Sequence, residues 1–320
     1  MGNCLDKLQG NGTNSDPRSI IIPLTGASSV DNSQCVSFES EQSNNNSGNH
    51  PHKQRKASLY ASNDHLSMLH ALFKYTWQAN FLAPVHEKLE FGNARVLNLG
   101  RHTGEWVLDV SDKYPLAKVW GIDTSNFSSN FSASIPLNSV FLHIDVLKGL
   151  PFADNTFDLI HTQCLTFTFT EIEWEKVMKE FLRVLKPGIG WLSLLEINLF
   201  YTNEGPSTAK LTDQMRLFLK EKKINPDIAI LQENLLHASN QFTEIQVHER
   251  FHTLESNVSR AGEIAAKEFA LTMYALGREL SDFMGLDNEE FMSLVESSVK
   301  EFNAYKTRAR QTRIIARKNL

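Results

Sequence analysis

An alternation of short apolar segments with amphipathic ones, running through residues 94–197, constrains the fold of this chain more than any other feature. Short apolar runs bounded by turn-forming residues are typical of buried strands, and apolar residues at helical spacing are typical of helices that pack on them. Such an alternation favours a mostly parallel sheet with helices on both faces. The predicted strands are ARVLNLG, KVWGIDTS, SVFLHIDV, TFDLIHTQ and IGWLSLLEI, and the predicted helices are TGEWVLDVSDKYP and EIEWEKVMKEFLRVLKPG.

The segments on either side of this alternation extend the predicted domain over residues 63–320. HLSMLHALFKYTWQANF has apolar residues at helical spacing after an Asn63-Asp64 N-cap, which predicts a helix before the first strand. Helical patterns also occupy residues 205–238 and 258–303. Because the first of these insertions follows the fifth strand, we expect the inserted helices to cover the ligand site.

Residues 1–62 are predicted to be a disordered tail, because their Ser, Asn, Gln and Gly side chains cannot offset the entropy lost on ordering. The first residues, MGNCLDK, place Gly2 and Cys4 where myristoyl and palmitoyl chains attach, although Asp6 stands where the motif prefers Ser or Thr. Two interpretations stay open. The terminus is either an ordinary disordered one or a two-chain anchor that tethers the domain to a membrane.

Composition excludes several classes of partner. A formal charge of −5 over 320 residues gives no general attraction to nucleic acid, and we expect no nucleic-acid partner. The basic residues between Tyr305 and Lys318 are interpreted as the solvated face of a last strand. The three cysteines have neither disulfide nor metal spacing, and the sequence has no membrane span or secretory signal. We therefore expect a cytoplasmic protein without a metal site.

Polar and small residues follow the predicted strands directly. In open parallel sheets, ligands bind beyond the carboxyl ends of the strands, where the strand order reverses. Asn98, Gly100 and Gly104 follow the first strand, Asp123 ends the second and Asp145 closes the third. Each aspartate alone is also typical of a turn or cap, but the set behind a glycine loop favours a bound nucleoside. The fourth strand contributes Asp158, His161, Gln163 and Cys164.

The glycine loop VLNLGRHTGEW does not have the spacing of a dinucleotide site. His102 and Glu105 stand where the second and third glycines of that fingerprint belong, and Glu105 brings negative charge to the helix N-terminus where a diphosphate binds. S-adenosylmethionine has no phosphate and avoids this conflict. Its ribose hydroxyls suit the carboxylate of Asp123, and its adenine edge suits Asp145.

These residues resemble those of the class I, seven-strand S-adenosylmethionine-dependent methyltransferases of the small-molecule type frequent in fungi. VLNLGRHTGEW matches the first motif of the family, GIDTS the second, HIDVLKGLPFADNTFDLIH the third and fourth, and EFLRVLKPGIGWLSLLEI the elements that follow. NFLAPV fits the lead-in segment. The resemblance implies a doubly wound α/β fold with FTEIQVHERFHT and YKTRARQTRIIARK as strands six and seven. It also implies methyl transfer to a small-molecule or lipid-like acceptor.

Two positions depart from the family pattern, whose loop usually reads acidic-x-Gly-x-Gly-x-Gly. Asn98 replaces the acidic residue and still accepts a hydrogen bond, whereas His102 replaces a glycine and either crowds the cofactor or contacts its carboxylate. The alternative function is therefore a catalytically silent relative that keeps the fold as a binding or scaffold protein. The expected cofactor-binding residues are Asn98, Gly100, Arg101, His102, Gly104, Asp123, Asp145, Val146 and Gln163.

The catalytic residues and the acceptor pocket stay open at this point. Methyl transfer is an in-line displacement that depends on positioning, and it needs a base only for some acceptors. His161, Glu196 and Tyr201 are the titratable residues near strand ends, and none is assigned as a base. Apolar residues of the inserted helices either line an acceptor pocket or pack as a core. They are Met215, Leu217, Phe218, Phe269, Met273 and Tyr274.

Overall fold

The computed structural model describes residues 63–100, 104–124 and 135–320. The predicted tail over residues 1–62, with Gly2 and Cys4, lies outside the described residues. Arg101 and His102 of the glycine loop lie outside them as well.

The described residues form a seven-stranded sheet in the order β3-β2-β1-β4-β5-β7-β6. Neighbouring strands from β3 to β5 are parallel, and β7 runs antiparallel to both β5 and β6. The predicted seven-stranded, mostly parallel sheet is confirmed. The strands are β1 Arg95–Leu99, β2 Lys118–Asp123, β3 Ser139–His143, β4 Leu159–Gln163, β5 Trp191–Thr202, β6 Phe242–Thr253 and β7 Arg308–Lys318.

Helices cover both faces of this sheet, and among those described none is long and apolar enough to cross a membrane. A short 3-10 helix, Val146–Lys148, follows β3. The α-helices are α1 Asn63–Trp77, α2 His86–Phe91, α3 Glu105–Lys113, α4 Glu171–Val184, α5 Pro206–Glu221, α6 Ile228–Ser239, α7 Arg260–Met284 and α8 Asn288–Tyr305.

Strand β1 shows why the sequence gives unbroken apolar runs. Val96 packs in one core with Trp106 of α3, whereas the next residue, Leu97, packs in another with Trp174 and Phe181 of α4. Successive side chains of a strand point to opposite faces, so a strand with helices on both sides needs apolar residues at every position. The absence of alternation in the sequence thus follows from the double cover.

The boundaries of α4 follow from its cap residues. The Thr170 hydroxyl accepts a hydrogen bond from the backbone N–H of Glu173, and the Glu173 carboxylate accepts one from the backbone N–H of Thr170. This reciprocal pair satisfies two of the N–H groups that a helix leaves open at its start. At the other end, Pro187 lacks the N–H that would continue the helix.

The inserted helices α5, α7 and α8 form a layer with a core of its own. Within this layer the ring centroids of Phe269 and Phe302 lie 5.0 Å apart, edge to face. The structure therefore supports core packing, and not a pocket lining, for the apolar residues of these helices. The side chains of Met215, Phe218, Phe269 and Met273 are buried, and those of Leu217 and Tyr274 are exposed.

Strand β7 lies between β5 and β6, and the expected solvated basic face is wrong for Arg313, which is buried, whereas Arg308 is exposed. The Arg313 side chain is buried, its guanidinium carbon lies 4.6 Å from the centre of the Trp77 ring, and it donates to the carbonyl of Ala79. Burial, together with the positive charge of Arg250, lowers the pKa of Arg313 to about 9. The aromatic face and the carbonyl partly compensate for the water that this cation loses.

Candidate functional site

The strand order reverses between β1 and β4, because the chain runs from β1 to β2 on one side of β1 and returns to β4 on the other. The glycine loop starts at this point. Gly100 has a φ of +147° and Gly104, the N-cap of α3, has a φ of +82°. Residues with a Cβ avoid these conformations, so both glycines are required by the backbone itself.

Asn98 is buried on β1, and its side-chain oxygen has no hydrogen-bond partner among the residues that the structure describes. A buried acceptor without a partner costs free energy, commonly about 1–3 kcal/mol, which a ligand that donates a hydrogen bond would recover. The ammonium group of S-adenosylmethionine is a donor of this kind. The amide at this position therefore fits the cofactor, although it lacks the charge of the family's acidic residue.

Asp123 and Asp145 end the neighbouring strands on the side of the site away from β4. Asp123 is the last residue of β2 and is buried. Asp145 lies beyond β3 and caps the short 3-10 helix, where its Oδ1 accepts a hydrogen bond of 3.1 Å from the N–H of Leu147. The side chain of Val146 is buried in the core below. Asp145 thus combines a cap with a place at the strand ends.

Gln163 ends β4 on the other side of the glycine loop. The pairing of Leu99 with Thr162 places Gln163 beside Gly100. Its Nε2 lies 3.4 Å from Nδ1 of His70, a residue of α1. The sequence analysis did not identify His70 as a residue near the site. The only indication in the sequence is that His70 lies next to the apolar stripe of a predicted helix. The structure thus brings Asn98, Gly100 and Gln163 together around the first strand, with Asp123 on the adjacent strand.

Asp158 does not belong to this site, contrary to the sequence interpretation. It lies just before β4, at the amino edge of the sheet, where its carboxylate pairs with Lys186 at 2.8 Å and accepts from the backbone N–H of Arg95. A carboxylate needed at the carboxyl edge cannot stand at the start of a strand. Its charge instead ties the turn after α4 to the beginning of β1.

His161 and Glu196 are buried in structural contacts. The His161 ring stacks on Trp106 and its Nδ1 lies 3.1 Å from the Ser193 hydroxyl. The Glu196 carboxylate accepts hydrogen bonds from Gln232 of α6, from the Thr166 hydroxyl and from the backbone N–H of Leu165. Burial raises the pKa of Glu196 to about 7, against the lowering effect of these bonds. Neither residue is exposed to a reacting group.

A second polar cluster lies beyond the end of β4, where β5, β7 and β6 continue. We call Cys164, Tyr201, His252 and Glu268 the distal cluster; Tyr201 and His252 both pair with Ala309 across the sheet. Burial and the negative charge of Glu268 raise the pKa of the Tyr201 hydroxyl. Burial and the charges of Glu196 and Glu268 likewise raise the pKa of the Cys164 thiol. The charge of Glu268 on α7 therefore acts on both of these groups.

The hydrogen bonds around Gln311 fix the protonation of His252. The Trp77 indole N–H donates to Gln311 Oε1 at 2.7 Å, so the amide nitrogen of Gln311 is the atom that lies 3.1 Å from Nδ1 of His252. An amide N–H only donates, which makes Nδ1 the acceptor and places the proton of the neutral ring on Nε2. Burial lowers the pKa of His252 to about 4, which agrees with a neutral ring.

Comparison with known proteins agrees with this geometry. Residues 96–188 match a family model described as a methyltransferase domain. The chain is 33% identical over 107 residues to the secondary metabolism regulator LAE1 of Cochliobolus heterostrophus. This match covers 33% of each of the two chains. It is 32% identical over 148 residues to the methyltransferase pytC of Aspergillus terreus, covering 44% of this chain and 41% of that protein. The matches thus span less than half the length of these relatives.

Among solved structures, the chain is similar to a putative sarcosine dimethylglycine methyltransferase from Galdieria sulphuraria. The two are 14% identical with a TM-score of 0.45, and the match covers 80% of this chain and 98% of that one.

Proposed function

We propose that this chain, whose residues 96–188 form a methyltransferase domain of the class I, S-adenosylmethionine-dependent type, transfers a methyl group to a small-molecule or lipid-like acceptor. The observation that carries the proposal is the buried, unpartnered oxygen of Asn98 beside the backbone of Gly100. A ligand with a cationic donor and no phosphate suits this place. The negative charge of Glu105 in the first turn of α3 disfavours a phosphate there.

The proposed cofactor site comprises the residues that the sequence indicated. Asp123 would accept hydrogen bonds from the ribose hydroxyls, and Asn98 and Gln163 would accept from the methionine ammonium. Arg101 and His102 belong to the proposed site on sequence grounds, because they complete the loop between Gly100 and Gly104. Asp145 and Val146 would lie at the adenine end, after β3.

When bound, S-adenosylmethionine supplies an electrophilic methyl group on a sulfonium. The residues of the chain would orient this group and the acceptor in line, which accounts for most of the acceleration in such displacements. An acceptor bound beyond β4 would lie near Glu268 of α7, whose charge acts on both Cys164 and Tyr201 and which would take the proton of a hydroxyl acceptor.

A regulatory or scaffold protein is the second candidate. It is favoured by the similarity of the chain to secondary metabolism regulators and by the amide at Asn98 in place of an acidic residue. In that case the domain would still bind the nucleoside cofactor or a relative of it, and the bound state would be recognised by a partner.

Calorimetric titration with S-adenosylmethionine and S-adenosylhomocysteine tests the proposal. We expect saturable binding of both ligands, and Asp123→Ala should weaken it about ten- to a hundredfold through lost ribose contacts. Asp112→Ala, an exposed aspartate of α3, is the matched control and should leave the affinity unchanged. The absence of heat up to millimolar ligand would overturn the proposal. Binding without methyl transfer to any of a panel of hydroxyl and amine acceptors would favour the second candidate.

The proposal extends to location through Gly2 and Cys4, which lie outside the described residues. Two acyl chains there would hold the domain near a membrane and favour acceptors concentrated in it. Fractionation of the native protein should then place the unaltered chain with membranes and the Gly2→Ala and Cys4→Ser variants in the supernatant. Equal distribution of the three proteins would leave the anchor without support.

A further inference from the structure

Two side chains on one turn of α4, Glu180 and Arg183, form an ion pair that has no part in the proposed function. The Arg183 guanidinium donates to both oxygens of the Glu180 carboxylate, from Nε at 2.9 Å and from Nη2 at 2.8 Å. Both side chains are partly buried. Paired bonds of this kind combine charge with a fixed geometry, so each side chain holds the other in one orientation.

This pair binds the segment of chain between the short 3-10 helix and β4. The Glu180 carboxylate accepts a hydrogen bond of 2.7 Å from the backbone N–H of Leu150. Arg183 donates to the carbonyl of Leu150 at 2.9 Å and to that of Phe152 at 2.7 Å. Its guanidinium also donates to the carboxylate of Asp154 at 2.9 Å. The backbone of Leu150 is therefore held through both its N–H and its carbonyl by side chains of α4.

Both members of the pair are charged at neutral pH. The hydrogen bond from Arg183 holds the pKa of the Glu180 carboxyl below its usual value, and the hydrogen bonds to Glu180 and Asp154 raise the pKa of Arg183. Hydrogen bonds to ionised groups are shorter and stronger than those between neutral groups. The segment over residues 150–154 is therefore bound to α4 more firmly than neutral side chains would bind it.

The 3-10 helix that precedes this segment carries Asp145 at its start. Asp145 is the N-cap, since its Oδ1 accepts from the N–H of Leu147 at 3.1 Å and its carbonyl oxygen accepts from the N–H of Lys148 at 3.0 Å. Gly149, with a φ of +93°, ends the helix and leads directly into Leu150. One turn of helix is not stable by itself, so its position depends on the residues that anchor its ends.

We infer that Arg183 is a positioning residue of the cofactor site, which through Leu150 and the 3-10 helix sets the position of the Asp145 carboxylate at the adenine end. The inference rests on the proposed function, because it concerns the same ligand. A carboxylate has acceptor positions besides the one that Asp145 uses in its cap, and the exocyclic amine of adenine is a donor that suits them. Arg183 thus affects the recognition of the base without contacting the ligand.

Calorimetric titration with two ligands that differ at one position of the base tests the inference. S-adenosylhomocysteine carries the exocyclic amine, whereas S-inosylhomocysteine carries a carbonyl oxygen there, which the Asp145 carboxylate repels. We expect the unaltered chain to bind the first ligand about ten- to a hundredfold more tightly, and Arg183→Ala should reduce this ratio about three- to tenfold. The ratio is the informative quantity, because a general loosening of the fold would weaken the binding of both ligands by the same factor.

Arg216→Ala is the matched control. Arg216 of α5 also binds a carboxylate through two hydrogen bonds, to Asp227 at 2.9 and 2.8 Å, and a carbonyl, that of Leu199, at 3.4 Å. The substitution therefore removes partners of the same kinds. Because Arg216 belongs to the inserted helices and not to α4, its loss should leave the ratio of the two affinities unchanged.

A double-mutant cycle adds a second test. In an Asp145→Ala background, Arg183→Ala should not change the ratio further, because a residue that acts through Asp145 has no effect on the base once that carboxylate is gone. Denaturant unfolding of each variant without ligand shows whether it is folded. If Arg183→Ala does not fold, Arg183→Lys replaces it. The lysine ammonium keeps the charge but cannot form the paired bonds, so the ratio should fall in the same direction.

The outcomes separate the inference from the proposed function. An unaltered chain that binds neither S-adenosylmethionine nor S-adenosylhomocysteine overturns the proposed function, and the inference with it. A chain that binds S-adenosylhomocysteine but shows no preference between the two bases, or a preference that Arg183→Ala leaves unchanged, overturns the inference alone. An equal fall of the ratio in Arg216→Ala, or a further fall in the Asp145→Ala background, overturns it as well, because Arg183 would then act through the fold as a whole.

Discussion

Trp106 in the first turn of α3 stacks on His161 of β4, with ring centroids 4.3 Å apart and planes inclined by 14°. The Trp106 indole N–H also donates to the carbonyl of Asn80 at 3.1 Å. The stack therefore joins the lead-in segment, the helix after the glycine loop and the strand beyond it. A histidine that looks like a candidate base in the sequence is here a flat, buried partner for an indole.

The stack predicts that replacing His161 lowers the free energy of unfolding. His161→Ala removes a buried ring and leaves a cavity against Trp106, which should cost about 2–4 kcal/mol. His161→Phe keeps the stack and loses the Ser193 contact, so the cost should fall to about 1 kcal/mol. Denaturant unfolding measures both. If His161 were instead a catalytic base, both variants should lose methyl transfer. His161→Phe should then be inactive although its free energy of unfolding is normal.

Glu196 predicts a pH dependence of stability. Burial raises the pKa of Glu196 to about 7 in the folded chain, above its ordinary value of 4.5, so the folded state holds a proton that the unfolded state has released between these values. The contribution of Glu196 to the free energy of unfolding is complete below the pKa that this residue has in the unfolded chain. It is lost as the pH rises to about 7. The loss should amount to about 2–3 kcal/mol between pH 5 and pH 8.

The measurement for Glu196 is denaturant unfolding across this pH range. Glu196→Gln has no proton to release and should show a flatter profile than the unaltered chain. Its amide keeps one acceptor for the N–H of Leu165 and the Thr166 hydroxyl. Parallel profiles for the two proteins would show that the carboxyl is ionised throughout.

The parallel part of the sheet was predictable from the sequence because its strands are short apolar runs between turn-forming residues. Val96 and Leu97 are apolar since opposite faces of β1 are covered, and the Thr170–Glu173 cap marks the start of α4 without any distant partner. Local physics therefore determined the elements. Their resemblance to a known family supplied the order of β6 and β7, which pattern alone does not give.

The contacts of α1 could not be predicted in the same way. His70 meets Gln163 across 93 residues and Asp109 across 39, and neither pairing leaves a local pattern. The burial of Arg313 could not be predicted for a similar reason, because the side chain packs on Trp77 of α1, which is distant in sequence. The apolar stripes of α5 and α7 were ambiguous because a pocket lining and a core have the same composition.

Gly104 predicts a link between backbone conformation and cofactor affinity. It is the N-cap of α3 with a φ of +82°, where a Cβ costs roughly 1–2 kcal/mol, so Gly104→Ala should lower stability by about that amount and weaken S-adenosylmethionine binding. Gly285→Ala is the control, because Gly285 has a φ of +66° at the end of α7 and an added Cβ would meet no atom within 4 Å. Its stability should fall similarly while its affinity stays unchanged. Equal affinities of all three proteins would contradict a cofactor contact at Gly104.

The distal cluster predicts the reactivity of Cys164. Burial is the main cause of the raised pKa of this thiol, and the charges of Glu196 and Glu268 add to it. Replacing the charge in Glu268→Gln should therefore lower the pKa by a few tenths of a unit and increase alkylation by iodoacetamide at pH 8 about two- to fivefold.

Mass spectrometry can follow this alkylation with an internal reference in each sample. Cys35, which lies outside the described residues, serves as the reference thiol for the activity of the reagent. Glu263→Gln is the matched variant, since Glu263 is an exposed carboxylate of the same helix, paired with Arg260. Its Cys164 rate should equal that of the unaltered chain. If Glu268→Gln also leaves the rate unchanged, the carboxylate of α7 does not act at the tip of β4, and the proposed acceptor site beyond that strand loses its proton acceptor.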